Sequence, residues 1–293
     1  MKISVLTATY NRANLLNNVY QSLLKNSNYG GEIEWLIMDD GSTDNTEELV
    51  RQMESKEIEI KYFKQENQGK MVALNKLVPN VEGELIVDCD SDDYFTDDAF
   101  KIIKQKYQEI EDKSDIYALG FLKKDHKGDI SGKKYTNKKD TLFRMHYNED
   151  DQGEKVFVFI TEIRKKYKHK LEHNEKFITE ARMYYEMENK YHLLCYNEPI
   201  EIIEYQEDGY TKNIKKLFIE NPFGYHAYFK EILEKNMKNV KMKKRIYAIK
   251  QYILFSYLTK QYDYSSIKEQ KNKFIYFLLF IPGILKSRFT YKK

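Results

Sequence analysis

Glycine, proline and cysteine are scarce. The 293 residues hold 12 Gly, 4 Pro and 2 Cys. Those numbers exclude collagen-like and low-complexity chains, and two cysteines build no disulfide framework. Cys89 and Cys195 fit no zinc spacing and read as small apolar side chains. There is no glycine-rich phosphate loop of the P-loop or dinucleotide type. The six histidines (126, 146, 169, 173, 192 and 226) show no metal-ligand spacing; His169 and His173 would share a face only on a helix. Nothing points to a nucleophilic Ser or Cys. No apolar run reaches the ~20 residues that cross a bilayer, and no secretory signal is seen, so a cytoplasmic setting is expected.

What is present is apolar and aromatic. Hydrophobic residues make up 41% and charged ones 32%, with 25 Tyr, 16 Phe and 1 Trp, which excludes a disordered chain and predicts a sizeable core. The net charge of +3 hides a division. Residues 206–293 carry 19 Lys and Arg against 7 Asp and Glu, leaving 30 against 39 for residues 1–205. An acidic body is no general nucleic-acid binder, whereas a basic tail calls for a polyanion, nucleic acid or anionic lipid.

The first 110 residues alternate apolar strands with amphipathic helices four times. Strands are expected over 3–8, 34–38, 59–63 and 84–87, with helices after 15, from 44, over 70–78 and over 97–110. Asp44 and Glu47 have capping-box spacing, and Thr96 is a candidate N-cap. Such alternation predicts a mostly parallel sheet with helices on both faces, and ligands beyond the carboxyl ends of its strands. Polar clusters stand at those ends: Thr9–Arg12, Asp39–Asp44, Asn67–Lys70 and Asp88–Asp93. Further on, strands are expected over 116–122, 156–160 and 193–205, a mobile loop over 123–140 and a helix over 177–187. After 218 helices dominate, one with Met242, Ile246, Ile249, Ile253 and Tyr257 as its apolar face.

Asp88-Cys-Asp-Ser-Asp-Asp93 places four carboxylates in six residues. Like charges this close raise one another's pKa unless a cation holds them, and hard oxygens suit Mg²⁺ or Mn²⁺ with substrate phosphates. A solvated, helix-capping turn is the alternative reading of the motif alone.

Thr9-Tyr-Asn-Arg12, Asp39-Asp-Gly-Ser-Thr-Asp44, Asn67-Gln-Gly-Lys70 with Ala73-Leu-Asn75, and Asp90-Ser-Asp-Asp93 occur in an order and spacing that resembles the family 2 glycosyltransferases of GT-A fold. The resemblance is close over 1–100 and loose over 100–205. It implies an α/β fold, GT-A and Rossmann-like, and the helix-rich pattern after 218 adds a helical C-terminal extension. It implies inverting, metal-dependent transfer of a sugar from a nucleotide-sugar, UDP-linked, to a hydroxyl acceptor. Thr9, Tyr10 and Arg12 would edge the nucleotide pocket, with Tyr10 against the base and Asp40 accepting from uracil N3–H. Lys70 would approach nucleotide or phosphate. Asp90 would face ribose and metal, and Asp92 would ligate the Mn²⁺ or Mg²⁺. Ala8 departs from the family's usual proline.

Inverting transfer needs a carboxylate to take the acceptor's proton. Glu180, in Phe177-Ile-Thr-Glu-Ala-Arg-Met183, resembles the family's base at the opening of a helix; Glu172, Glu175 and Glu186 compete for the role. Arg182 would pair with it, reach a phosphate or make a surface ion pair. A non-catalytic nucleotide-sugar binder or scaffold is the alternative, and a sugar nucleotidyltransferase is disfavoured by the glycine-free first loop.

Phe274–Leu285 is 12 residues without charge, flanked by Lys268, Lys271, Lys273, Lys286, Arg288, Lys292 and Lys293. It suits an interfacial anchor on an anionic leaflet, with packing on the domain or in a homodimer as the alternative. The expected division is a glycosyltransferase domain over 1–205 (nucleotide-sugar half 1–95, acceptor half 96–205) and a basic extension over 206–293. The expected setting is the inner face of the plasma membrane, with a polyprenyl-linked glycan as acceptor in bacterial surface polysaccharide assembly and no nucleic acid as partner.

Overall fold

A computed structural model describes residues 1–53, 55–204, 216–235, 237–265 and 267–290. The first half alternates as expected: β1 (Lys2–Thr9), α1 (Ala13–Asn26), β2 (Glu32–Asp39), α2 (Thr46–Gln52), β3 (Ile58–Lys64), α3 (Lys70–Leu77) and β4 (Leu85–Asp88). Strands β3, β2, β1 and β4 lie side by side and parallel, with Thr9 abreast of Asp39 and Asp39 abreast of Lys64. β1 and β2 are buried along nearly their whole length. Residues of both parities being buried means that both faces are covered, as the crossover helices of parallel strands require.

The second half mixes directions. It comprises β5 (Tyr94–Phe95), α4 (Ala99–Gln108), β6 (Ile116–Lys124), β7 (Lys139–Asp140), α5 (Leu142–Arg144), β8 (Lys155–Ile160), α6 (Thr161–Arg164), α7 (Ala181–Met187) and β9 (His192–Ile202). β8 runs antiparallel between β4 and β6, and β9 lies parallel to β6. The sheet order is β3-β2-β1-β4-β8-β6-β9-β5, with β7 on β9. Helices among the residues described beyond β9 include α8 (Pro222–Glu234), α9 (Met242–Thr259) and α10 (Gln270–Thr290). The expected boundary at 205/206 falls at residues 205–215, outside the described residues.

Several local expectations need correction. Asn45, not Asp44, holds the N-cap of α2. Asp44 instead accepts from the Thr46 N–H and, through its other oxygen, from the Ala13 N–H that opens α1. Glu47 turns outward to Arg51 and Lys64, so no capping box forms. α4 begins two residues later than expected, and Thr96 is spent on the Ile200 carbonyl. On α9 the buried face is Arg245, Ala248, Ile249, Tyr252, Ile253, Phe255, Ser256 and Thr259, while Met242 is exposed. The aromatic rings of Tyr252 and Phe255, stacked on His226 and Tyr225, turn that helix.

Candidate active site

The four polar loops meet at the carboxyl edge of β1–β4 and are joined by hydrogen bonds and ion pairs. Asn11 takes a left-handed conformation (φ 52°), one that Asn tolerates. Its N–H then donates to Ser42 Oγ, and its side-chain oxygen accepts from the Thr43 N–H at 2.8 Å. The buried Asp40 carboxylate ties the second loop to the third, accepting from Gln65 Nε2 (2.6 Å), the Gln68 N–H (2.8 Å) and the Gly69 N–H (2.8 Å). An ionised carboxylate has about four accepting sites, so about one remains for a further donor.

Charge joins the remaining loops. Arg12 Nη1 lies 2.7 Å from Asp92 Oδ2. Lys70 Nζ lies 2.5 Å from Asp90 Oδ1 and 2.7 Å from Glu180 Oε1. Thr9 is buried, and its hydroxyl has no partner. Tyr10 stands exposed at the rim.

Glu180 precedes α7, which starts at Ala181 rather than at 177, and its second oxygen accepts from the Tyr184 hydroxyl at 3.2 Å. Its three competitors are committed elsewhere. Glu172 pairs with Arg182, Glu175 accepts from the Phe223 and Gly224 N–H groups at the start of α8, and Glu186 pairs with Lys170. Arg182 is itself buried but bridges the exposed carboxylates of Glu172 and Glu231 and donates to the Lys170 carbonyl, and no ion pair joins it to Glu180.

Electrostatically the centre is acid-rich. Burial pushes the Asp88 carboxyl up to about 6, opposed by nearby Arg164, and both of its oxygens are buried without a hydrogen-bond partner. Burial, then Asp90, raises Asp92, with Arg12 opposing. Burial also works against ionised Asp90, but Lys70 and Lys123 outweigh it and hold that carboxyl below the usual range. Asp90 is in contact with Lys70 and Asp92 with Arg12, and the Asp88 carboxylate accepts no hydrogen bond. Hard oxygens in surplus over cationic partners fit Mg²⁺ or Mn²⁺, which bind through one or two carboxylates together with phosphates and water. Among the described residues, the one trio of carboxylates close enough to grip an ion unaided is Glu34, Glu59 and Glu82. That trio is threaded by Lys2 and Lys61.

Lys70, Asp88, Asp90 and Glu180 line a cavity of about 330 Å³, together with His146, Glu154, Phe157, Phe159 and Tyr184. Its lining is mixed, with Lys70, Lys123, Lys155 and four carboxylates facing the same space as Phe157, Phe159 and Tyr184. Three of its residues escape a reading of the sequence. Lys123, expected to begin a loop, lies within β6 one residue before its end and pairs with buried Asp93 and Glu201. Glu154 is raised by burial. His146 shares a 2.6 Å hydrogen bond with Tyr185, and burial lowers it to about 4. Asp88 did carry a signal, as the first carboxylate of the acidic run. His169 and His173 lie on no helix. His169 is held through its backbone by Asn75, and His173 stacks on Phe223.

Residues 4–168 match the sequence model of the family described as glycosyl transferase family 2. An uncharacterised glycosyltransferase of Mycoplasma genitalium, MG060, is 34% identical over 119 residues, which is 38% of this chain and 40% of that protein. Glycosyltransferase GlyA of Streptococcus pneumoniae is 28% identical over 157 residues, covering 53% of this chain and 20% of that protein. The chain thus aligns with less than half the length of these curated relatives. Among solved structures, S. aureus TarS 1–349 in complex with UDP-GlcNAc superposes with a TM-score of 0.56 at 18% identity, over 97% of this chain and 82% of that one. Mannosyltransferase PcManGT from Pyrobaculum calidifontis, with GDP-Man and Mn²⁺, gives a TM-score of 0.57 at 12% identity, over 99% and 88%. These likenesses show the fold.

Proposed function

Because the chain belongs to glycosyl transferase family 2, we propose that it moves a sugar, with inversion, from a UDP-sugar to a hydroxyl acceptor. The acceptor in this reading is a polyprenyl-linked glycan at the inner membrane surface, in surface polysaccharide assembly. The observation that carries it is Lys70 between Asp90 and Glu180, one ammonium joining the acidic donor loop to a carboxylate across the cavity.

In this reading the nucleotide lies over β1–β3, with Tyr10 against the base, Asp40 using its spare accepting site on uracil N3–H, and Thr9 and Arg12 at the pocket edge. Lys70 donates to the diphosphate. Glu180 Oε accepts the proton of the attacking hydroxyl as its oxygen bonds the anomeric carbon and the bond from that carbon to the diphosphate breaks. Mg²⁺ or Mn²⁺ held by Asp92 and Asp90 would supply positive charge to the leaving diphosphate. Phe157, Phe159 and Tyr184 give the reacting centre an apolar side.

The test is release of UDP from a panel of UDP-sugars with lipid-linked acceptors, for the full chain and for Glu180→Gln. Acceptor-dependent UDP release that the variant lacks supports the reading. Binding of nucleotide-sugar without any turnover would instead identify a binding protein of the same fold.

A further inference from the structure

The helix α10 carries its own unpartnered surface. Phe274, Phe277, Leu278, Ile281 and Leu285 recur at helical spacing on one face, and they are 66%, 57%, 61%, 68% and 49% exposed. The opposite face is bound to the body. Tyr276 is buried against Tyr252, Asn272 is buried beside Met237, and Gly283 lets α10 approach Ile253, where a Cβ would come within 2.8 Å. The stripe is therefore held facing outward.

Resting on the membrane-side acceptor of the reading above, we propose that this face of α10 docks the protein, lying in the interface plane, on an anionic bilayer. Charge decides the occupant. From Gln270 to Thr290 there is no Asp or Glu, while Lys271 and Lys273 stand at one end of the stripe and Lys286 and Arg288 at the other. A two-fold contact between copies over the stripe would bring these cations against their own kind, because such an interface is self-complementary. An anionic leaflet meets both ends with the opposite sign and attracts each basic residue near its surface. The stripe's 12 residues span about 18 Å of helix, well short of the ~30 Å hydrocarbon core. No helix among the described residues is long and apolar enough to cross a membrane. Exposed Tyr262 and Tyr264 pack beside the stripe on Phe280 and Phe277, with an apolar ring and polar tip that suit the headgroup level.

The experiment is vesicle flotation of the full chain with phosphatidylcholine vesicles and with equimolar phosphatidylglycerol–phosphatidylcholine vesicles, beside sedimentation velocity without lipid. The full chain is expected to float with the anionic vesicles only. Phe277→Ser with Ile281→Ser should weaken that binding at least tenfold, and Lys271→Gln with Lys286→Gln should weaken it and reduce its salt dependence. UDP titration of each variant checks that the body is folded. Failure to float with anionic vesicles, flotation indifferent to both double variants, or a dimer that Phe277→Ser with Ile281→Ser dissolves while flotation is unchanged would overturn the proposal. Flotation with no UDP binding would leave docking intact and count against the transferase reading alone.

Discussion

The ammonium of Lys70 sits 2.7 Å from Glu180 Oε1, so the first residue of α3 holds the residue that opens α7. Sequence places them 110 positions apart. The same nitrogen reaches Asp90 at 2.5 Å, and these two acids raise Lys70 well above its ordinary range although burial pulls the other way. Under the proposed function, a diphosphate beside Asp90 would compete for this ammonium and, in taking it, free Glu180 to accept a proton.

Lys70→Gln is therefore expected to weaken UDP binding by roughly ten- to a hundredfold, the worth of a charged hydrogen bond. Calorimetric titration reads it. Unchanged affinity would remove Lys70 from the donor site.

Glu180→Gln is expected to lower kcat by about 10²–10⁴, the range for a lost general base, with UDP affinity kept within a few-fold. Glu186→Gln, which only releases Lys170, is the control and should leave kcat near wild type. The opposite pattern in steady-state kinetics would move the base to another carboxylate.

Gly69 has a φ of 93°, and a Cβ there would lie 2.1 Å from the Lys176 carbonyl oxygen. Gly69→Ala should cost about 1–3 kcal/mol from backbone strain and more from the clash, and should loosen the loop that Asp40 holds. Gly128, at φ 92° with open space around it, separates the two effects. Gly128→Ala should lower Tm less than Gly69→Ala, and equal losses would show that the Lys176 contact is unimportant.

His146 is lowered from 6.5 to about 4, chiefly by burial. The unfolded chain then binds a proton below pH 6.5 that the folded chain refuses until about pH 4, so this group's contribution to stability falls as pH falls through that window. The slope is at most about 1.4 kcal/mol per pH unit. Urea unfolding at a series of pH values should show a shallower acid loss for His146→Gln than for wild type. Parallel curves would mean that the imidazole titrates normally.

The first half of the sheet was legible because its signals are local. Each apolar run of β1, β2 and β4 stops at a polar cluster, and parallel pairing brings those clusters to one edge without further information. Other features depend on partners that spacing does not reveal. Lys123 looks like the start of a solvated loop but is buried, because Asp93 and Glu201 compensate it. The resemblance singles out Glu180, but only the fold shows that α8, Arg182 and Lys170 occupy Glu175, Glu172 and Glu186. The buried face of α9 keeps the expected Ile249 and Ile253 and also takes in Arg245, which can be buried because Glu269 and two backbone carbonyls receive its guanidinium.

The most direct test of the donor site is calorimetric titration of UDP, with and without Mn²⁺, into the full chain and into Asp92→Ala. Binding that strengthens with Mn²⁺ and loses that dependence in Asp92→Ala is the expected result. Absence of nucleotide binding under every condition, or Mn²⁺-dependent binding undiminished in Asp92→Ala, would contradict the assignment of this acidic loop to the diphosphate.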